Sequence, residues 1–336
     1  MALWAVAGLY VAGVVGAGFA SGQELVVFFV RYGQAGLAGV IWSSLLLCAG
    51  TGLILEACAR HGVGSYNGLL RAVDPKWSAL WDSLYGIFLL VGTAVMFAGM
   101  AAASESILCR EALRFGSAAL VLFLLGRGAR ALLRVSAWIA PLLVLSLTAL
   151  TLGHLGKGVT LFTARQVGAP ALGSALEAGT LYACYNLGFA MTFLATSHHY
   201  LKTRKERWLL ALLGPGILGG SMLLLCLALG TLEPAQLAQP YPLAGLLPGW
   251  RPWARGLYTV FLWSAMLTTA AANTLALTSR FAQLPKMQWG TAVLTAVLLS
   301  LALSHLGFSQ LVSVAYPILG LVGLWLLAHL LWDALR

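Results

Sequence analysis

An acid stands inside the first apolar stretch of the chain, just past a cluster of glycines, and no basic residue precedes it. Residues 8–33 read GLYVAGVVGAGFASGQELVVFFVRYG, with glycines at 13, 16, 18 and 22 ahead of Gln23 and Glu24. Ionisable groups within membrane segments are costly and mark routes for ions, protons or solutes. Two chemistries fit Glu24. It can ligand a cation or carry a proton. It can also close a capping box, since Ser21-x-x-Glu24 lets Ser21 accept from the Glu24 N–H while Glu24 reaches back to Ser21. Gly16, Gly18 and Gly22 permit conformations and close approaches that other residues resist, so a solute could meet opened backbone there directly. Opened backbone at membrane depth needs partners, and the start of a half-helix carries positive partial charge suited to a carboxylate. A zwitterionic or anionic solute is therefore expected, amino acids first.

A second polar interruption falls mid-run at 182–190, YACYNLGFA, which holds Tyr185, Asn186 and Gly188. Asn competes with the helix for backbone bonds and Gly relaxes the dihedrals, which predicts a second break; plain helix packing is the alternative. Glu105, between Ser104 and Ser106, is either a coupling group facing the pathway or a charge at a helix end. Glu56 is spaced to pair with Arg60 at i,i+4, and Ser174-x-x-Glu177 and Thr203-x-x-Glu206 are capping-box patterns. Asn273 suits a hydrogen bond between helices, while His198 and His199 border a basic loop and read as interfacial. No G-x-S-x-G, H-E-x-x-H, C-x-x-C or G-x-x-x-x-G-K-[ST] occurs. Neither an enzyme, a motif-type zinc site nor a built-in ATPase is expected, which leaves an ion or solute gradient as the energy source. The five cysteines lack paired short spacing and read as small buried residues.

The elements that must position these groups are membrane helices. Of the 336 residues 60% are hydrophobic and 9% charged, with mean hydropathy +0.88, against about a quarter charged in soluble domains. Continuous apolar stretches exclude a β-barrel, whose strands alternate over about ten residues. The formal charge of +10 sits in short gaps between apolar segments, where it sets topology and meets anionic lipid headgroups; it does not signal nucleic acid. One transmembrane domain, 1–336, is expected, all-α and polytopic, with ten spans. They fall at 3–31, 36–58, 77–109, 113–125, 132–152, 174–196, 208–232, 253–281, 289–303 and 308–331. Span 1 is too long for a bilayer and too polar at its middle, so two half-helices joined near Gly18 to Gly22 are expected. Span 7 should be interrupted near Gly214-Pro215-Gly216. Residues 233–252, with five of the eleven prolines, make an external loop resting on the membrane surface.

With both termini cytoplasmic, 13 of the 20 basic residues lie inside, led by Lys202, Arg204, Lys205 and Arg207. No Lys or Arg precedes Arg31, so span 1 is expected to be retained rather than cleaved as a signal peptide. The spans divide as 3–152 and 174–331, with starts near 3 and 174, 77 and 253, and 132 and 308. An odd number of spans per half inverts the second half, as in transporters whose sites lie at discontinuous midplane helices. Small-residue spacings such as Gly188 to Thr192 occur within and between chains alike and leave the oligomeric state open.

The run Gly13-Val-Val-Gly16-Ala-Gly18-Phe-Ala-Ser21-Gly22-Gln23-Glu24, followed by Phe28-Phe29 and Tyr32-Gly33, resembles the opening signature of the YkvI-like bacterial membrane proteins. These are similar to the wider amino acid–polyamine–organocation superfamily with the LeuT fold. The resemblance implies a five-plus-five inverted repeat in a hash and bundle, with helices 1 and 6 discontinuous. It places solute against Gly16, Gly18, Ser21, Gly22, Tyr185, Asn186 and Gly188. In members that use sodium, the ion lies between span 1 carbonyls and span 8 hydroxyls, by depth Ser264, Thr268 and Thr269 here. No other cofactor is implied. The function expected is secondary transport of a small solute, an amino acid or related amine or carboxylate, in the bacterial cytoplasmic membrane, with Glu24 and Glu105 as coupling candidates. A receptor for such a solute on the same scaffold is the alternative.

Overall fold

Every regular element among the described residues is a helix. The computed structural model describes residues 2–104, 106–127, 145–149, 151–156, 172–247, 252–282, 285 and 287–335. The first stretch is three short helices, α1 (Ala2–Val14), α2 (Ala17–Ser21) and α3 (Gln23–Phe28). Then come α4 (Gln34–His61), α5 (Tyr66–Val73), α6 (Ser78–Ala101) and α7 (Ile107–Arg127). A helix α8 is described at 145–149 and 151–155. The second half holds α9 (Leu172–Ser197), α10 (Arg204–Leu229), the short α11 (Pro234–Leu237), α12 (Pro252–Phe281) and α13 (Trp289–Ser304). Last come α14 (Phe308–Gln310), a π-helical turn over Leu311–Ala315, and α15 (Tyr316–Leu335).

Among the described residues, five stretches are long and apolar enough to cross a membrane: α4, α6, α10, Gly256–Phe281 and Phe308–Leu335. Leu45, Ile87, Phe123, Leu212, Leu298 and Leu321 are exposed on the outer surface, as lipid contact requires and water would penalise. This is an all-helical membrane protein.

α9 lies at the centre, between α4 and α15, and also touches α1. Its neighbours approach through glycines, because helices in lipid associate by close packing rather than by expelling water. A Cβ at Gly39 of α4 would lie 2.6 Å from the Ala175 carbonyl, and one at Gly179 would lie 2.6 Å from the Gly39 carbonyl. On the other face, Gly323 of α15 presses on the Cys184 carbonyl, where a Cβ would stand at 2.2 Å. A second group forms as α6 packs on α7, α12 and α13. The short α2 bridges the groups, meeting α6 and α12.

Three expectations need correction. The span over 174–196 is not discontinuous: α9 runs unbroken from Leu172 to Ser197. Asn186 turns its amide back to the Tyr182 carbonyl at 2.9 Å, within the helical pattern, and the missing Cβ of Gly188 makes room for the Phe88 ring at 3.0 Å. Ser174 consequently lies inside the helix and caps nothing. The second correction is α10, which continues through Pro215; Gly214 beside it receives the Tyr10 ring at 2.9 Å. Third, the loop after α10 is tucked inward, with Leu243 and Leu246 buried and Leu243 lying against Gly22. The Thr203–Glu206 capping box is present as expected, an N-cap worth about 0.5–2 kcal/mol. Residues 132–144 and 150 of span 5, its Pro141 among them, and most of the loop 153–173 lie outside the described residues, while α8 covers the rest of that span.

Candidate functional site

The first span opens where its glycines cluster. α1 stops at Val14, and Gly16 takes an extended conformation (φ −92°, ψ −170°). One turn later Gly22 adopts φ +86°, a left-handed conformation unfavourable for residues with a Cβ. The break is thus two joints around the single turn α2, rather than one opened segment between Gly18 and Gly22. Its carbonyls are answered locally and across the fold. The Ser21 hydroxyl donates to the Gly18 carbonyl at 3.1 Å, and Tyr258 of α12 donates to the Ala20 carbonyl at 3.0 Å.

Glu24 begins α3 yet does not close a capping box. Ser21 Oγ accepts from the Gln23 N–H at 3.2 Å, and α3 has no side-chain cap. The Glu24 carboxylate folds back over α2 at Gly18 and receives the hydroxyl of Tyr185. It lies so close to Gly18 that a Cβ there would meet Oε1 at 2.1 Å. The carboxylate is 2% exposed and forms no ion pair among the described residues.

Around it lies a closed cavity of about 10 Å³, the space of about one water probe. Its walls are Gly16 and Glu24 of the break, Met96 of α6, Tyr185, Asn186 and Phe189 of α9, Thr269 of α12 and Tyr316 of α15, with Val14 at one side. The Tyr185 and Tyr316 ring centroids are 4.8 Å apart, and Phe189 stands perpendicular to Tyr185 at 6.2 Å. Of the expected site residues, the fold therefore joins Gly16, Glu24, Tyr185, Asn186 and Thr269 in one wall. Gly18 and Ser21 sit behind the carboxylate as supports, and Gly22 contacts the inward loop. Gly188 lies outside this cavity; its carbonyl accepts from Tyr85 at 3.1 Å. Thr268 donates to the Ala265 carbonyl of its own helix at 3.0 Å, and Ser264 is half-buried away from the cavity. Glu105 lies outside the described residues. Sequence reasoning missed Met96, Phe189, Tyr258 and Tyr316. Phe189 was open to detection, since Tyr182, Tyr185 and Phe189 recur on one helical face.

The two ends of the helix assembly differ. At the end where α6 finishes, a vestibule of about 650 Å³ is lined by Arg110, Arg114, Gln236, Gln239, Tyr241 and His305, among others. Arg114 Nη1 pairs with Glu111 and lies 2.8 Å from His305 Nδ1. At the opposite end, ion pairs tie the helices together. Arg207 holds Glu56 through two bonds of 3.1 Å, in place of the Glu56–Arg60 pair expected from spacing; Arg60 meets Asp333 at 3.2 Å. Arg280 meets Asp82 at 3.0 Å and His61 meets Asp333 at 3.1 Å.

No family model matches the chain. The chain is 23% identical over 331 residues to the "Uncharacterized membrane protein YkvI" of Bacillus subtilis (strain 168), covering 96% of this chain and 93% of that protein. The likeness read from the opening signature thus extends over nearly the whole length. Among solved structures the chain is similar to Mhp1, a nucleobase-cation-symport-1 family transporter, in a closed conformation with bromovinylhydantoin bound. The TM-score is 0.56 at 15% identity, covering 94% of this chain and 74% of Mhp1, and the likeness is one of fold.

Proposed function

We propose that the protein is a secondary active transporter, moving a small solute by alternating access coupled to sodium or protons. The observation that carries this reading is the buried Glu24 carboxylate, held at a double break in the first span and lining a closed cavity. An intramembrane acid without an ion pair has little structural reason to persist. The cavity sits between a vestibule at one end and a layer of ion pairs at the other, the arrangement a carrier needs to open one side at a time. The fold likeness to a transporter holding a hydantoin supports a small-solute partner, with amino acids and related amines or carboxylates as the first class to examine.

The ten-span inverted repeat fits the same reading. Span 1 is α1–α3, spans 2, 3 and 4 are α4, α6 and α7, spans 6 to 9 are α9, α10, α12 and α13, and span 10 is Phe308–Leu335. Spans 3, 4, 8 and 9 pack as one group and spans 1, 2, 6 and 7 as another, so inverted partners share a group. A bacterial cytoplasmic membrane with both termini inside is supported by the basic residues at 202–207, which gather at the ion-paired end.

Uptake into proteoliposomes under imposed sodium or proton gradients tests the proposal. Gradient-dependent flux or counterflow of a labelled solute is expected. Saturable binding without either would make the protein a receptor on this scaffold. For sodium, replacing Thr268 and Thr269 together should abolish any sodium dependence; an unchanged response would move the ion elsewhere.

A further inference from the structure

The closed cavity offers one carboxylate, three aromatic rings, an amide and the hydroxyls of Thr269, Tyr185 and Tyr316, and no Lys, Arg or His among its lining residues. Of the break, Val14, Gly16 and Glu24 line the cavity, and the Gly16 N–H is already bonded to the Val14 carbonyl at 2.8 Å. A solute carboxylate would find a like charge and no free cationic partner. A cation would find the reverse: Glu24 at one side, and the rings of Tyr185, Phe189 and Tyr316 at the others. Aromatic faces attract ammonium groups, most strongly when water is excluded.

We propose that this cavity, once widened to admit a solute, recognises a small organic cation, a protonated or quaternary amine, and that the amine and a proton alternate on Glu24. The inference deepens the transporter reading and rests on it. A lone charge buried without a partner is strongly unfavourable. The closed carrier therefore crosses in one of two forms, with Glu24 paired to the ammonium or with Glu24 carrying a proton. Charge balances in the exchange: one monovalent cation enters as one proton leaves the carboxyl for the solution. Amine moves one way and proton the other, without net charge transfer. The titratable groups facing Glu24 are Tyr185 and Tyr182 of α9 and Tyr316 of α15, while Cys226 of α10 and Tyr10 of α1 face Tyr182. Among the described residues none of these is a cation that could neutralise the acid in place of amine or proton.

The test is binding to purified full-length protein, using phenethylamine and tetramethylammonium as probes beside phenylacetate, phenylalanine and sodium chloride. The amines should raise thermal stability, release one proton per molecule bound in weak buffer, and bind roughly tenfold more weakly per pH unit in the acid range where proton competes. Glu24→Gln should weaken amine binding by roughly 30-fold or more and abolish proton release. Tyr316→Leu should weaken it roughly 3- to 30-fold, and Tyr316→Phe should restore most of the loss. If Glu24→Gln does not fold, the proton release and pH dependence of the unmodified protein still decide the matter. Tighter binding of phenylacetate than of either amine, or Glu24-dependent proton release by sodium alone, would overturn the proposal. Flux of a neutral or anionic solute with Glu24→Gln fully active would overturn it too, yet leave the transporter reading standing. Amine binding with proton release but no counterflow would overturn the transporter reading and the exchange, leaving a cation receptor.

Discussion

At Gly18 a carboxylate occupies the space that any side chain would need. Gly18→Ala would set a methyl 2.1 Å from Glu24 Oε1, on backbone that Ser21 holds in place. Expelling the carboxylate should destabilise the protein by about 1–3 kcal/mol, as overpacking does, read as loss of thermal stability in detergent. Because both effects pass through one contact, Glu24→Ala should rescue Gly18→Ala, whereas independent sites would simply add. Tyr185→Phe removes the hydroxyl that reaches Glu24 while keeping the ring. Leaving that acceptor with one partner fewer should cost about 1.5–3 kcal/mol of stability and change the pH profile of any transport. Glu24 was legible from sequence because an acid among apolar residues is conspicuous. Its capping role was misread: a box requires Glu24 to reach the N–H of Ser21, and the chain bends at Gly22 so that the carboxylate lies over Gly18 instead. Tyr316 lies far along the chain in an ordinary apolar run, and only tertiary packing brings it to the site.

At the level of elements, α9 is a continuous post rather than a broken helix. Asn186 and Gly188 looked like breakers because their local preferences favour other conformations. Contact with α4 and α15, in lipid that offers the backbone no other partner, overrides that preference. The glycines that allow this contact should be intolerant. Gly323→Ala pushes a methyl onto the Cys184 carbonyl and should destabilise by about 1–3 kcal/mol. Gly216→Ala meets open space on α10 and should leave stability unchanged or raise it by up to about 1 kcal/mol, through helix propensity. Equal effects at both positions, in matched unfolding measurements, would show that the close approach carries no weight. The break in span 1 was legible because length and polarity disagreed with a simple span. Its two-joint form was not, since nothing local shows that Ala17 to Ser21 keeps one helical turn.

For the whole molecule, the asymmetry of the ends makes a prediction about access. A thiol placed at Thr269 in a Cys109→Ser background should react slowly with impermeant reagents, because the cavity is closed. Asp82→Asn removes the charge that Arg280 pairs with and weakens the tie between α6 and α12 at the ion-paired end, leaving Arg280 its bonds to Ser83. Labelling from that end should then accelerate, while the rate from the vestibule end stays the same. The all-helical membrane class could be read from apolar lengths. The ion pairs could not, because Glu56 finds Arg207 from another helix rather than its i,i+4 neighbour, and sequence spacing is blind to that choice.

Glu24 and Gly18 belong to one short stretch of chain, so the carboxylate fills the break as a tethered ligand, at an effective concentration of roughly millimolar or more. A free acid arriving at the break competes with a group that cannot diffuse away. Discrimination against anions is then a property of chain connectivity, and it persists whatever the aromatic residues around the cavity become.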